Sequence, residues 1–107
     1  MIFVGSPGVG VDHATDLHLP ADHVWASTAE HDPIQEATVA WVNPSVPFGD
    51  LIFGTDPNSA KFGGHHFHSD PGDPNGDIAH GQYWDRGSSS LKNIGYIVAG
   101  QPSKVTP

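Results

Sequence analysis

Three short strand candidates, each closed by glycine, proline or polar residues, punctuate the chain. Met1 to Val4 leads into Gly5-Ser6-Pro7-Gly8-Val9-Gly10, which reads as a buried strand entering a loop. His23-Val24-Trp25-Ala26-Ser27-Thr28-Ala29 is a second β-prone run, stopped by Glu30-His31-Asp32-Pro33. His65-His66-Phe67-His68-Ser69 is a third strand candidate, and a turn-rich loop over residues 70–79 follows it. Between these runs, residues 11–19 are weakly helical until Pro20 ends them, and residues 34–42 predict one or two helical turns. Residues 43–64 hold three prolines and four glycines and read as a long ordered loop. The clearest helix comes last. Ser88 or Ser89 caps it, Leu91, Ile94, Ile97 and Val98 share a face, and Gly100 closes it with Pro102 beyond. Strands alternating with helices or long loops predict an α/β fold with a parallel sheet. Three strands are few for a sheet that needs cover on both faces, so the pattern is expected to be part of a larger sheet.

Composition narrows the function. The chain has 107 residues, enough for one small domain, with Gly 13 and Pro 10 in a loop-rich sequence. A domain of this size buries roughly two-thirds of its unfolded surface, and a hydrophobic content of 36% makes a thin core. Net charge is −8, and the four basic residues Lys61, Arg86, Lys92 and Lys104 are scattered, so no phosphate-tracking groove forms and nucleic acid is not an expected partner. The same charge opposes an anionic membrane surface, and no apolar run approaches the length of a spanning helix. The N-terminus lacks a basic signal-peptide region, which predicts a cytoplasmic location. Zero Cys removes disulfides, thiolate catalysis and cysteine metal sites. The unusual positive number is His 8.

Asp32 and His80 are the first chemical candidates. Each is read as lying in a loop just past a predicted strand, where sites form in open α/β sheets. An aspartate followed about fifty residues later by a histidine matches the Asp…His order of an α/β-hydrolase triad. In that chemistry the histidine takes the nucleophile's proton and returns it to the leaving group, while the aspartate fixes the imidazole tautomer. The bland alternative makes Asp32 a strand-end cap and His80 a solvated loop residue. No serine of the chain has glycine at both −2 and +2, so the chain contains no nucleophile elbow. His66, His68 and Asp70 alternate along the third strand and could converge on a metal, with His65 on the opposite face. Tight sites draw ligands from several elements, so a partly exposed polar strand is the simpler reading, and no metal or other cofactor is expected. The Gly5–Gly10 turn lacks a following Lys-Ser/Thr, and Pro7 removes an amide donor, so a tight turn is favoured over a phosphate cradle. Trp25, Trp41, Tyr83 and Trp84 read as core and loop-packing residues.

The segments VGSPGVGVDHATDL, HVWASTAEHDPI, FGTDPNSAKFGGHHFHSD and HGQYWDRGSSSLKNIGYIVAG occur in this order from Val4 to Gly100. Together they closely resemble the C-terminal part of an actinobacterial α/β-hydrolase family formerly catalogued as a domain of unknown function. The resemblance implies a partial α/β-hydrolase fold: the last three strands of a mostly parallel sheet plus the C-terminal helix. It implies serine-esterase-like acyl hydrolysis of a small-molecule substrate, with the triad acid at Asp32 and the triad histidine at His80. It makes the turn from Gly5 to Gly8 structural. It also implies that residues 1–107 are the C-terminal segment of one hydrolase domain. The half carrying the elbow serine would precede Met1, and the chain alone would be inactive. The bared strand at residues 1–5 would then invite self-association. The alternative from a different class is a non-catalytic fragment, or a His-rich module that binds a divalent metal or a protein partner.

Overall fold

The computed structural model describes residues 1–34 and 53–107. Strand β1 (Ile2–Val4) lies beside β2 (Trp25–Ser27), and β2 lies beside β3 (His65–His66), in the sheet order β1-β2-β3. Both pairings are parallel. Ile2 stands opposite Trp25 and Val4 opposite Ser27, while Trp25 stands opposite His65. The three predicted strand candidates thus become the three strands found among the described residues, each shorter than predicted. The second shrinks because His23 closes a 3₁₀ turn over Ala21–His23. The third stops at His66 because the His68 amide bonds the Thr106 carbonyl, at 2.8 Å. Parallel strands put all their carboxyl ends on one edge of the sheet, and that edge receives the loops discussed below.

The core is small and local to one region. Val24, Ala14 and Phe62 are buried together, and Phe3, Val9, Val11, Leu17, Leu19 and Ala21 pack against them. Phe3 meets Phe62 edge to face, with ring centroids 6.5 Å apart. The weakly helical stretch over 11–19 forms a 3₁₀ turn at Ala14–Leu17, which delivers Ala14 and Leu17 to this cluster. Residues 5–10 form a packing loop. The Gly5 amide donates to Ser27 O, the Gly10 amide donates to Phe53 O, and a Cβ on Gly8 would overlap the Phe53 carbonyl. Two of the turn's amides, those of Gly5 and Gly10, are thus used for packing. The helical turns expected over 34–42, Trp41 and the start of the 43–64 loop fall on residues 35–52, outside the described residues.

Helix α1 (Gly76–Ala79) occupies the end of the segment read as a turn-rich loop over residues 70–79. Asn75 starts it by accepting the Asp77 amide on its side chain. Helix α2 (Ser89–Val98) is the predicted C-terminal helix, with Ser88 accepting the Leu91 amide and Gly100 taking a positive φ of 71°. Its inward face differs from the predicted one. Ser90, Asn93 and Ile94 are buried, whereas Val98 is 78% exposed. Asn93 explains the shift: its Nδ2 donates to His68 O at 2.9 Å and its Oδ1 accepts the Thr106 amide at 3.0 Å. One buried amide side chain therefore clasps α2 to the segment after β3 and to the tail. Trp84 is likewise exposed rather than core. Among the described residues, no helix is long and apolar enough to cross a membrane.

Asp70 fastens the start of α2, accepting the Ser89 amide at 2.9 Å and the Ser89 hydroxyl at 2.7 Å. These two bonds hold its carboxyl below the ordinary value of 3.8. A depressed folded-state value means that the bonus to folding is complete above the unfolded value and is lost as pH falls through the folded one. The expected result is a small acid-side loss of α2 order below pH 3.8 that Asp70→Asn abolishes. Amide chemical shifts of residues 88–92 followed down a pH series check it. Identical titrations in both proteins would contradict it.

Candidate active site

The carboxyl ends of β1 and β2 lie next to each other, tied by the Gly5 amide on Ser27 O at 3.0 Å. The chain leaving β2 turns at Ala29–Asp32, where the Asp32 amide returns to Ala29 O at 3.0 Å. This turn buries Asp32, which is 5% exposed. His80 reaches it from the other side. It does not directly follow a strand, as the sequence suggested, but caps the carboxyl end of α1, well beyond β3. His80 Nδ1 lies 2.9 Å from Asp32 Oδ2 and 3.0 Å from Oδ1. A carboxylate only accepts, so Nδ1 carries the proton and the neutral ring keeps a lone pair on Nε2. The His80 side chain is half exposed while that of Asp32 is fully covered. A covered acid behind a reachable imidazole is the arrangement a proton shuttle needs.

Three further groups surround the carboxylate. The Ile34 amide donates to Asp32 Oδ1 at 3.0 Å. The Tyr83 hydroxyl donates to Oδ2 at 2.6 Å and accepts the Ala29 amide at 2.9 Å. Tyr83 is 2% exposed, and burial above all pushes its phenol above the ordinary 10.0, so it stays a donor at physiological pH. Gly5 closes the remaining side. Its φ is 53°, and a Cβ there would come 2.5 Å from Asp32 Oδ2 and 3.1 Å from the His80 ring. Replacing Gly5 by alanine should therefore cost about 1–3 kcal/mol in backbone strain and push the carboxylate off His80. Chemical denaturation and the His80 ring proton signals would show both effects. A Gly5→Ala protein with native stability and unmoved signals would refute this.

The loops carrying the pair are stitched to each other. His31 donates its amide to Pro71 O at 2.9 Å and Nδ1 to Gly72 O at 2.8 Å. Gly76 lets α1 approach, since a Cβ there would lie 2.9 Å from Pro33 Cδ and 3.1 Å from His31 O. A cleft of about 190 Å³, lined by Asp32, Pro33, Ile34, Asp77 and His80, opens beside the imidazole. A larger hollow of about 380 Å³ is lined by Tyr83, Asp85, Arg86 and Ser88 among others, and by no histidine.

The structure does not bring the His66, His68 and Asp70 set together. Asp70 is engaged by Ser89, His65 stacks on Trp25 with centroids 4.7 Å apart, and no group of three potential metal ligands is found among the described residues. Sequence reasoning missed two contributors. Tyr83 was read as packing only. Gly5 was read as a turn residue, although a glycine directly after a strand was the available signal for a close approach. Nothing in the pattern singled out Tyr83.

A family model described as alpha/beta hydrolase matches residues 1–44. That span holds β1, Gly5, β2 and Asp32, and ends before His80. No curated protein matches the chain, and no solved structure does. The parallel three-stranded sheet with its C-terminal helix is a partial α/β-hydrolase fold.

Proposed function

We propose that this chain supplies the acid and the base of a serine-hydrolase-type site that cleaves small esters or similar acyl compounds. The observation that carries the reading is the bond from His80 Nδ1 to the buried Asp32 carboxylate, at the carboxyl edge of a parallel sheet. In this reading His80 Nε2 takes the proton of a serine hydroxyl as it attacks the acyl carbon. It then returns that proton to the departing alkoxide, and the same cycle with water releases the acid. Asp32 holds the ring with Nε2 free and stabilises the imidazolium formed midway. The apolar walls at Pro33 and Ile34 admit a small uncharged group beside the ring. Asp77 on the same wall disfavours an anionic one.

No serine here has the Gly-x-Ser-x-Gly setting, so the nucleophile and the oxyanion donors come from other residues. The test joins this segment, by fusion or co-expression, to a hydrolase segment carrying such an elbow. Turnover of p-nitrophenyl esters is expected from the combination and not from the 107-residue chain. His80→Ala should remove it. Turnover that survives His80→Ala would end this assignment.

A further inference from the structure

Asp32 has two oxygens, and more than the imidazole determines where they point. Rotation of a carboxylate about Cβ–Cγ is soft, because torsions ending on a planar group have broad minima. The Ile34 amide holds one oxygen of Asp32, and Tyr83 holds the other. The phenol proton has one place to go. The Tyr83 oxygen already accepts the Ala29 amide, and a backbone N–H cannot accept, so the O–H is directed at Asp32 Oδ2. Tyr83 is itself pinned from behind, as the buried Ser90 hydroxyl at the start of α2 donates to Tyr83 O at 2.8 Å. Ser90 thus fixes the Tyr83 main chain, while the phenol at the far end of the same residue bonds Asp32, which bonds His80.

We propose that Tyr83 is a positioning residue: its hydroxyl fixes the Asp32 carboxylate so that His80 keeps its proton on Nδ1 and presents Nε2 as the base. This rests on the acid–base reading of Asp32 and His80. Phenylalanine would fill the same volume, but it would leave the Ala29 amide unpaired and Asp32 Oδ2 with His80 as its only remaining partner. Apart from His80 itself, the carboxylate would then be held by a single main-chain bond, from Ile34, and could turn off the Nδ1 axis.

The test is the tautomer of His80 in the ¹⁵N-labelled chain, read from long-range ¹H–¹⁵N spectra and assigned by the signal lost in His80→Ala. The native ring is expected as Nδ1–H. Tyr83→Phe should raise the Nε2–H share several-fold while the far-ultraviolet circular dichroism stays native. A folded Tyr83→Phe protein with an unchanged tautomer would overturn the proposal. Should Tyr83→Phe not fold, 3-fluorotyrosine in a Tyr96→Phe background keeps the shape and sharpens the donor. It should draw charge from Asp32, weaken the Nδ1–H···Asp32 bond and move the His80 Nδ1 proton signal upfield of its native position. No movement there overturns the proposal equally. Asp32→Asn separates the two levels. If it leaves the His80 tautomer unchanged, the acid–base pairing itself fails. If it flips the tautomer and the Tyr83 changes do not, only the role of Tyr83 fails.

Discussion

Asp32→Asn is expected to lower kcat of the proposed hydrolase, once joined to an elbow-bearing segment, on the order of 10⁴-fold while leaving the fold recognisable. The reason is donor arithmetic. Three donors converge on the carboxylate: the Ile34 amide, the Tyr83 hydroxyl and His80 Nδ1–H. Asparagine offers one oxygen and an amide group. If the oxygen stays with the main-chain donor at Ile34, the amide group faces Tyr83 and His80. Tyr83 can accept from it, since its oxygen has a second lone pair beside the one used by Ala29. His80 can accept only by moving its own proton to Nε2. The ring is then held in the tautomer that cannot take a proton from a serine. Asp32→Ala differs in kind. It strands a buried phenol and a main-chain amide, and should destabilise the chain by about 1–3 kcal/mol per unmet group. Initial ester-hydrolysis rates for Asp32→Asn, beside urea melts for both variants, separate chemistry from folding. A rate loss under about tenfold for Asp32→Asn would mean that Asp32 does not set the tautomer.

Phe62→Ala should cost about 3–5 kcal/mol, a large share of what a domain this small possesses. Phe62 is 1% exposed and is the largest fully buried side chain among the described residues. It closes the cluster formed by Ala14 and Val24 and gives Phe3 its edge-to-face partner. Apart from Phe3 on β1, the partly buried residues round it come from the loop after β1, the 3₁₀ turns and the link between those turns, so regular secondary structure does little to hold them. Deleting the ring leaves a cavity that Ala14, already small, cannot fill. The urea midpoint of Phe62→Ala should fall sharply, and Phe62→Leu, which keeps most of the volume, should fall far less. Equal midpoints for the two would show that packing at 62 contributes little.

The strands were legible because short apolar runs bounded by Gly, Pro and Asp carry their own punctuation. Ile2–Val4 and Trp25–Ser27 fall inside the predicted runs. The C-terminal helix was legible from Ser88 and Gly100, and its ends agree with the predicted caps. Its buried face was not. A hydrophobic count favours Val98, whereas Asn93 faces inward because two backbone groups there need a partner. The pairing of Asp32 with His80 was legible as residue order, and the structure adds the 2.9 Å approach of Nδ1 to Oδ2. Helix α1 escaped because four residues show no period, and its cue was the single cap at Asn75. Tyr83 escaped because a buried aromatic advertises packing first. Its polar function depends on where the hydroxyl ends up, a tertiary fact without a local signature.

The bonds that make the site also constrain how the chain reaches it. Asp32 and His80 are 48 residues apart, and Asp32 and Tyr83 are 51 apart. Neither contact can form by local search. Closing loops of that length costs chain entropy before any reward arrives, which slows folding through high contact order. The aligned imidazole is therefore a product of the long-range fold: the acid–base pair does not exist until the segment from α1 to Tyr83 and the turn at Asp32 have been brought together.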